Sequence, residues 1–163
     1  MMDLRLHGAI WRSADDRRDA WQRALDEFND ENLLTAPRWP EADLSLEIVR
    51  LPSGAFLLRL YRDVFDRLDE IALDAVALEE VFQDYAQTIR HMVHMHQDAP
   101  ARGFESLDHA KRIVHDEAAA WMQESVAPVL ALNAEDARRL FTLLFLIGGD
   151  LPEHLVRFHL YHA

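Results

Sequence analysis

An α+β fold is predicted for this chain: a small antiparallel β-sheet, made by an N-terminal strand and a hairpin, packed against a mostly α-helical C-terminal half. Three observations predict it. Apolar residues alternate in period two in the first part of the chain, they recur at spacings of three and four beyond residue 75, and the two patterns are segregated rather than interleaved. With 163 residues, of which 50% are hydrophobic, one domain spanning 1–163 has enough apolar surface for a core of its own.

The elements follow in order. Residues 3–10 alternate, with Leu4, Leu6 and Ile10 on one side and Asp3, Arg5 and His7 toward the other, the mark of a half-buried strand. Ser13 then offers an N-cap with Asp16 three residues on, and Trp21, Leu25 and Phe28 recur at helical spacing, which predicts a helix over about 14–31. Pro37 and Pro40 mark a loop. Alternation returns with Leu44, Leu46 and Ile48, breaks at Pro52, Ser53 and Gly54, and resumes with Phe56, Leu58 and Leu60, an antiparallel hairpin. Around Ile71 and Leu73 the sequence fits either a further short strand or a helical turn.

The second half reads as helices. Leu78, Val81, Phe82, Tyr85, Ile89, Met92 and Val93 form one stripe ending before Pro100. A second helix, capped by Ser106, carries Leu107, Ala110, Val114, Ala118, Trp121 and Met122 and stops by Pro128. A third begins at Asn133, with Asp136 at its third position, and runs to Gly148 and Gly149. It is apolar nearly all round from Leu140, so it should be the most buried of the set. The tail from Leu151 fits a short helix or an edge strand.

Composition excludes several classes of function. There is no cysteine, which removes disulfides, thiolate metal sites and a cysteine nucleophile. With 17 Lys+Arg against 29 Asp+Glu the formal charge is −12 and the basic residues do not cluster, so nucleic acid is disfavoured. No stretch approaches a membrane span and the first residues do not have the pattern of a secretory signal, so a soluble, cytoplasmic protein is expected, with no membrane partner. No GxGxxG, P-loop or GxSxG pattern occurs, and no cofactor is expected.

The densest set of ionisable groups is SLDHAKRIVHDEA, residues 106–118. At about 100° per residue, with Leu107, Val114 and Trp121 facing the core, His115 and Glu117 fall on opposite flanks and cannot grip one ion from a single straight helix. Asp108, Arg112 and Asp116 make an i,i+4 ladder on the outside. His115 fits either a partly buried histidine satisfied by a neighbour, or a base or ligand aimed into a cleft. His91 and His94, three apart on one helical face, are weak metal candidates that need a third ligand from elsewhere. Arg138 and Arg139 are read as ties from their helix to carboxylates on its neighbours.

VFQDY at 81–85, SLDHAKRIVHDEA at 106–118 and DARRLFTLLFLI at 136–147 resemble the successive motifs of uncharacterised bacterial protein family number 0262 of the unknown-function (UPF) series. The matching positions include Asp84, Tyr85, Asp108, Arg112, His115, Glu117 and Ala137 through Leu143. The first half is similar in layout. The chain departs from the family pattern in having Ala110, Ile113 and Ala118 where glycines are usual, and in its tail. The resemblance implies a fold and a shortlist of residues but no reaction.

With no complete catalytic constellation, the first expectation is a non-catalytic binding or regulatory domain acting through a protein partner or as a homo-oligomer. The alternatives are an enzyme or small-molecule binder using His115, assisted by Glu117, Arg112 or Tyr85, and a metal protein using His91 and His94.

Overall fold

A computed structural model of the chain describes residues 2–13, 16–63, 65–98 and 104–149, and within the helices it leaves undescribed the side chains of residues 93, 95–98, 104–108 and 110. The expectation for the tail lies outside the described residues. The element order is β1 (Asp3–Leu6), α1 (Gly8–Trp11), α2 (Arg18–Glu31), β2 (Ser45–Arg50), β3 (Phe56–Tyr61), β4 (Arg67–Ala72), α3 (Ala75–Asp98), α4 (Phe104–Val126) and α5 (Ala134–Gly148). This is the α+β arrangement expected, and among the described residues no helix is long and apolar enough to cross a membrane.

The sheet has the order β1-β2-β3-β4, and it corrects one expectation. β2, β3 and β4 pair antiparallel, but β1 lies parallel to β2, with Leu4 opposite Leu46 and Leu6 opposite Ile48. The sheet is therefore mixed. Alternation in one strand carries no information about direction; what sets it is the connection, and here α2 carries the chain back across the sheet, as a parallel neighbour requires. The N-terminal strand also stops at Leu6, because His7 Nδ1 accepts from the Ala9 N–H (3.1 Å) and opens the short α1. The ambiguous stretch near Ile71 is a strand, β4, paired with β3 from Leu57↔Ala72 to Tyr61↔Arg67.

β1 is an edge strand, and its free edge is covered by side chains from α2. Asn29 accepts from the Leu4 N–H (2.8 Å) and donates to the Leu4 carbonyl (2.9 Å), which reproduces the pair of bonds another strand would make. Asn32, buried, donates to the Met2 carbonyl (3.0 Å). The inner face of the sheet presents Leu4, Leu46, Ile48, Phe56, Leu58 and Leu60 to the helices, and the outer face carries ion pairs such as Arg59–Glu70 at 2.9 Å. The β2–β3 turn needs Gly54, whose φ of +91° is left-handed backbone that favours glycine.

α5 is the most enclosed helix, as its composition predicts: Leu140, Phe141, and Leu143 through Ile147 are all buried. Its start follows the expected cap, Asn133 Oδ1 accepting from the Asp136 N–H at 2.8 Å. Asp136 itself is fully buried and accepts from the Leu33 N–H (2.8 Å) and from Arg139 (3.4 Å), while Arg139 also reaches Glu31 (2.6 Å). One carboxylate thus ties the end of α2 to the beginning of α5. Two other starts differ from expectation: α2 begins at Arg18, behind Arg17 with no side-chain cap, while the Ser13 hydroxyl donates to the Ile10 carbonyl (2.6 Å) at the end of α1; and α4 begins at Phe104, which puts Ser106 inside the helix rather than at its cap.

Asp136→Ala removes the acceptor for a backbone N–H and leaves Arg139 short of one partner, so urea unfolding should show a loss of about 2–4 kcal/mol. Asn133→Ala, which removes only a cap, should cost about 1 kcal/mol. Equal losses in the two variants would contradict the assignment of Asp136 as the inter-helix tie.

Candidate functional site

His115 lies on α4 where α3, α4 and α5 meet. Its ring is 5.2 Å from the Tyr85 ring of α3 and 6.0 Å from Phe141 of α5, and it joins a cluster in which Tyr85, Phe82, Phe141 and Phe145 pack edge-on or tilted. Its Nε2 is 3.2 Å from Thr142 Oγ1, and the Arg138 backbone carbonyl accepts a further hydrogen bond from the ring. The groups facing it come from all three helices: Lys111 and Asp116 on α4, Tyr85 on α3, and Thr142 and Arg138 on α5.

Burial lowers the His115 pKa to about 4, and the charges of Lys111 and Arg138 act in the same direction; the Arg138 carbonyl and Asp116 oppose it. The imidazole is therefore neutral at pH 7. Tyr85 is fully buried and desolvation raises its pKa well above the ordinary phenol value, so it stays protonated.

Of the shortlist, the fold brings together Tyr85 and His115 and leaves the rest apart. Glu117 and Arg112 are exposed on other faces of α4, as the helical geometry requires. Asp116 turns to Arg138 at 3.5 Å, and Arg139 to Glu31, so the paired arginines do tie α5 to α4 and α2. The carboxylate that meets Arg138 is Asp116. His91 and His94 are exposed on α3, and among the described residues no three His, Asp or Glu side chains converge on a point that could hold a metal. The side chain of Asp108 lies outside the described residues.

The largest cavity described lies elsewhere. A cleft of about 640 Å³ runs between the β2–β3 turn, the exposed face of α3 and the end of α5. Phe56, Leu78, Phe82 and Ala86, all buried, lie at its base, Glu79, Gln83 and Gln87 line the α3 wall, and Arg50 and Arg90 add guanidinium groups. Gly148 is required here for space: a Cβ would lie 2.9 Å from the Phe56 ring. Arg50 sits 5.6 Å over the Phe56 ring and donates to the Ile147 carbonyl at 3.4 Å. No carboxylate pairs with it among the described residues.

Sequence reasoning passed over Arg50, although a signal was present. Leu46, Ile48 and Arg50 share one face of β2, so a charge stands where the alternation calls for an apolar residue. The exposed Phe65, in the β3–β4 turn, carries no such signal.

Because the His115 pKa is lower folded than unfolded, its neutral form contributes stability that is present above about pH 6.5 and lost as pH falls toward 4. The stability gap between wild type and His115→Gln should therefore narrow between pH 6.5 and pH 4 in urea titrations. A gap that stays constant over that range would show that the imidazole is not held neutral.

The sequence profile of an uncharacterised protein family, UPF0262, matches residues 2–148, so the match reaches through the first half as well as the motifs of the second. A UPF0262 protein of Ruegeria sp. (strain TM1040) is 27% identical over 132 residues, covering 77% of this chain and 83% of the relative. A UPF0262 protein of Sphingopyxis alaskensis is 25% identical over 96 residues, covering 59% of this chain and 58% of the relative. No solved structure matches. The chain belongs to the uncharacterised protein family UPF0262.

Proposed function

We propose that this chain is a non-catalytic binding domain that acts through protein contacts, and that the cleft between the β2–β3 turn and α3 is its recognition surface. One observation carries the reading: the cleft sets guanidinium, amide and carboxylate groups, the last from Glu79, around a base of apolar side chains, a set suited to gripping a partner. Its hydroxyl, Ser53 Oγ, accepts from the Ala55 N–H at 3.4 Å and has no histidine among the lining residues to activate it. His115 lines none of the described cavities. Its partners are those of a core histidine, which supports a packing role over one as base or ligand.

The lining residues on α3 run from Ala75 to Arg90, a helical length of about 22 Å. That favours an elongated segment of a protein over a compact metabolite.

A photo-crosslinking amino acid placed at Gln87, in the cleft wall, should yield one discrete protein adduct in cells of the native host. The same probe at Glu117, exposed on α4, should yield none. Adducts from Glu117 with none from Gln87 would move the recognition surface to the α4 face and overturn this reading.

A further inference from the structure

The sheet ends in two edges, and the protein treats them differently. At β1, Asn29 takes both outward groups of Leu4. At β4, the Leu73 N–H donates to the Phe56 carbonyl at 3.1 Å, which fixes the parity of the pairing with β3: Asp69 and Ile71 turn their backbone groups to β3, and Glu70 and Ala72 turn theirs outward. Asp69 Oδ1 accepts from the Glu70 N–H at 2.8 Å and so closes one of the outward groups. The Glu70 carbonyl and both backbone groups of Ala72 have no hydrogen-bond partner among the described residues, and the two residues are exposed.

This strand is therefore blunted over one half, by Asp69 and by the irregularity at Leu60/Tyr61, and open over the other. A donor and two acceptors in an extended row match one ligand chemistry, the main chain of an extended peptide. We infer that β4 takes an extended segment of a partner protein as a further, antiparallel strand, one residue of which exchanges both hydrogen bonds with Ala72 while the residue two further on donates to the Glu70 carbonyl.

The outer face of the sheet adds a side-chain preference. Val49, Leu57 and Ala72 stand opposite one another across β2, β3 and β4, an apolar row that ends at the exposed Ala72. The partner residue facing Ala72 continues that row, which favours an apolar, β-branched side chain there. The neighbouring row of Arg5, Glu47, Arg59 and Glu70 does not select by charge, because Glu70 Oε2 already holds Arg59 at 2.9 Å and Arg67 at 3.2 Å. The β4 of a second copy is a poor occupant: Ala72 against Ala72 offers the row only a methyl group and sets Glu70 opposite Asp74. No residue of β4 lines the cleft, so this surface is independent of it.

NMR on the full chain tests this, with a blocked, uncharged pentapeptide of threonine carrying a central valine as the probe. In the free protein the Ala72 amide hydrogen should exchange faster than that of Ile71, which faces β3. The peptide should shift the Ala72 resonance and slow its exchange. The same peptide N-methylated at valine should do neither, since its donor to the Ala72 carbonyl is gone. Ala72→Pro deletes the outward N–H and no bond of the sheet, so it should keep the fold and bind the peptide about tenfold more weakly. Asp69→Ala uncovers the Glu70 N–H and should bind about fivefold more tightly.

An Ala72 amide as slow as that of Ile71 in dilute free protein would overturn the inference. So would an Ala72 resonance unmoved by millimolar peptide, or equal binding of the N-methylated peptide. Circular dichroism checks that Ala72→Pro is folded; if it is not, the N-methylated peptide makes the same test on the unaltered protein. Protection of Ala72 that appears without peptide as the protein is concentrated would mean that a second copy fills the edge, and would overturn the choice of partner.

Discussion

The structure depends on the enclosure of α5. A helix that is apolar all round has no face to give to water, so every side of it needs a cover. The chain meets this with α2, α4 and the sheet, and with the aromatic rings that α3 sends in through Phe82 and Tyr85. Even polar atoms serve the enclosure. Trp21 of α2 donates its indole N–H to the Leu146 carbonyl at 3.0 Å, deep in the core. Gly148 lets the end of α5 lie directly against Phe56, so the helix terminus becomes part of the cleft wall.

Polar residues inside this protein are spent on joining elements. Asn29 and Asn32 hold the edge strand, Asp136 holds the junction of α2 and α5, and His115 holds α4 to α5 through Thr142 and the Arg138 carbonyl. Each lies where two backbones approach without secondary-structure pairing, and each satisfies groups that burial would otherwise leave costly. At the surface, Phe65 is exposed at one end of β3 and Arg50, at the other, has no carboxylate partner among the described residues.

Much of the fold was legible because it rests on period. The alternations at Leu46/Ile48 and Phe56/Leu58/Leu60, the stripe from Leu78 to Met92 and the uniform apolarity after Leu140 each reflect a local geometry, and each element stands where its period places it. The cap at Asn133 is legible for the same reason. Strand direction was not, since Leu4 and Leu6 alternate alike in a parallel or an antiparallel pair. The motif from Ser106 to Ala118 shows both sides: the helix wheel separated His115 from Glu117 correctly, but gave no means of knowing that Tyr85, Thr142 and the Arg138 carbonyl would surround the imidazole.

By itself the sequence determined the class of fold, the identity of the most buried helix, the division of α4 into faces and the family, because these depend on spacing along the chain. Only the tertiary structure decided that β1 runs parallel, that the Arg138 partner is Asp116, and that Arg50, Phe56 and Phe82 frame one cleft while Phe65 stands clear at the other end of β3. Those facts concern residues brought together from distant positions. Contacts of that kind are set by how the elements pack around α5, and no local period records them.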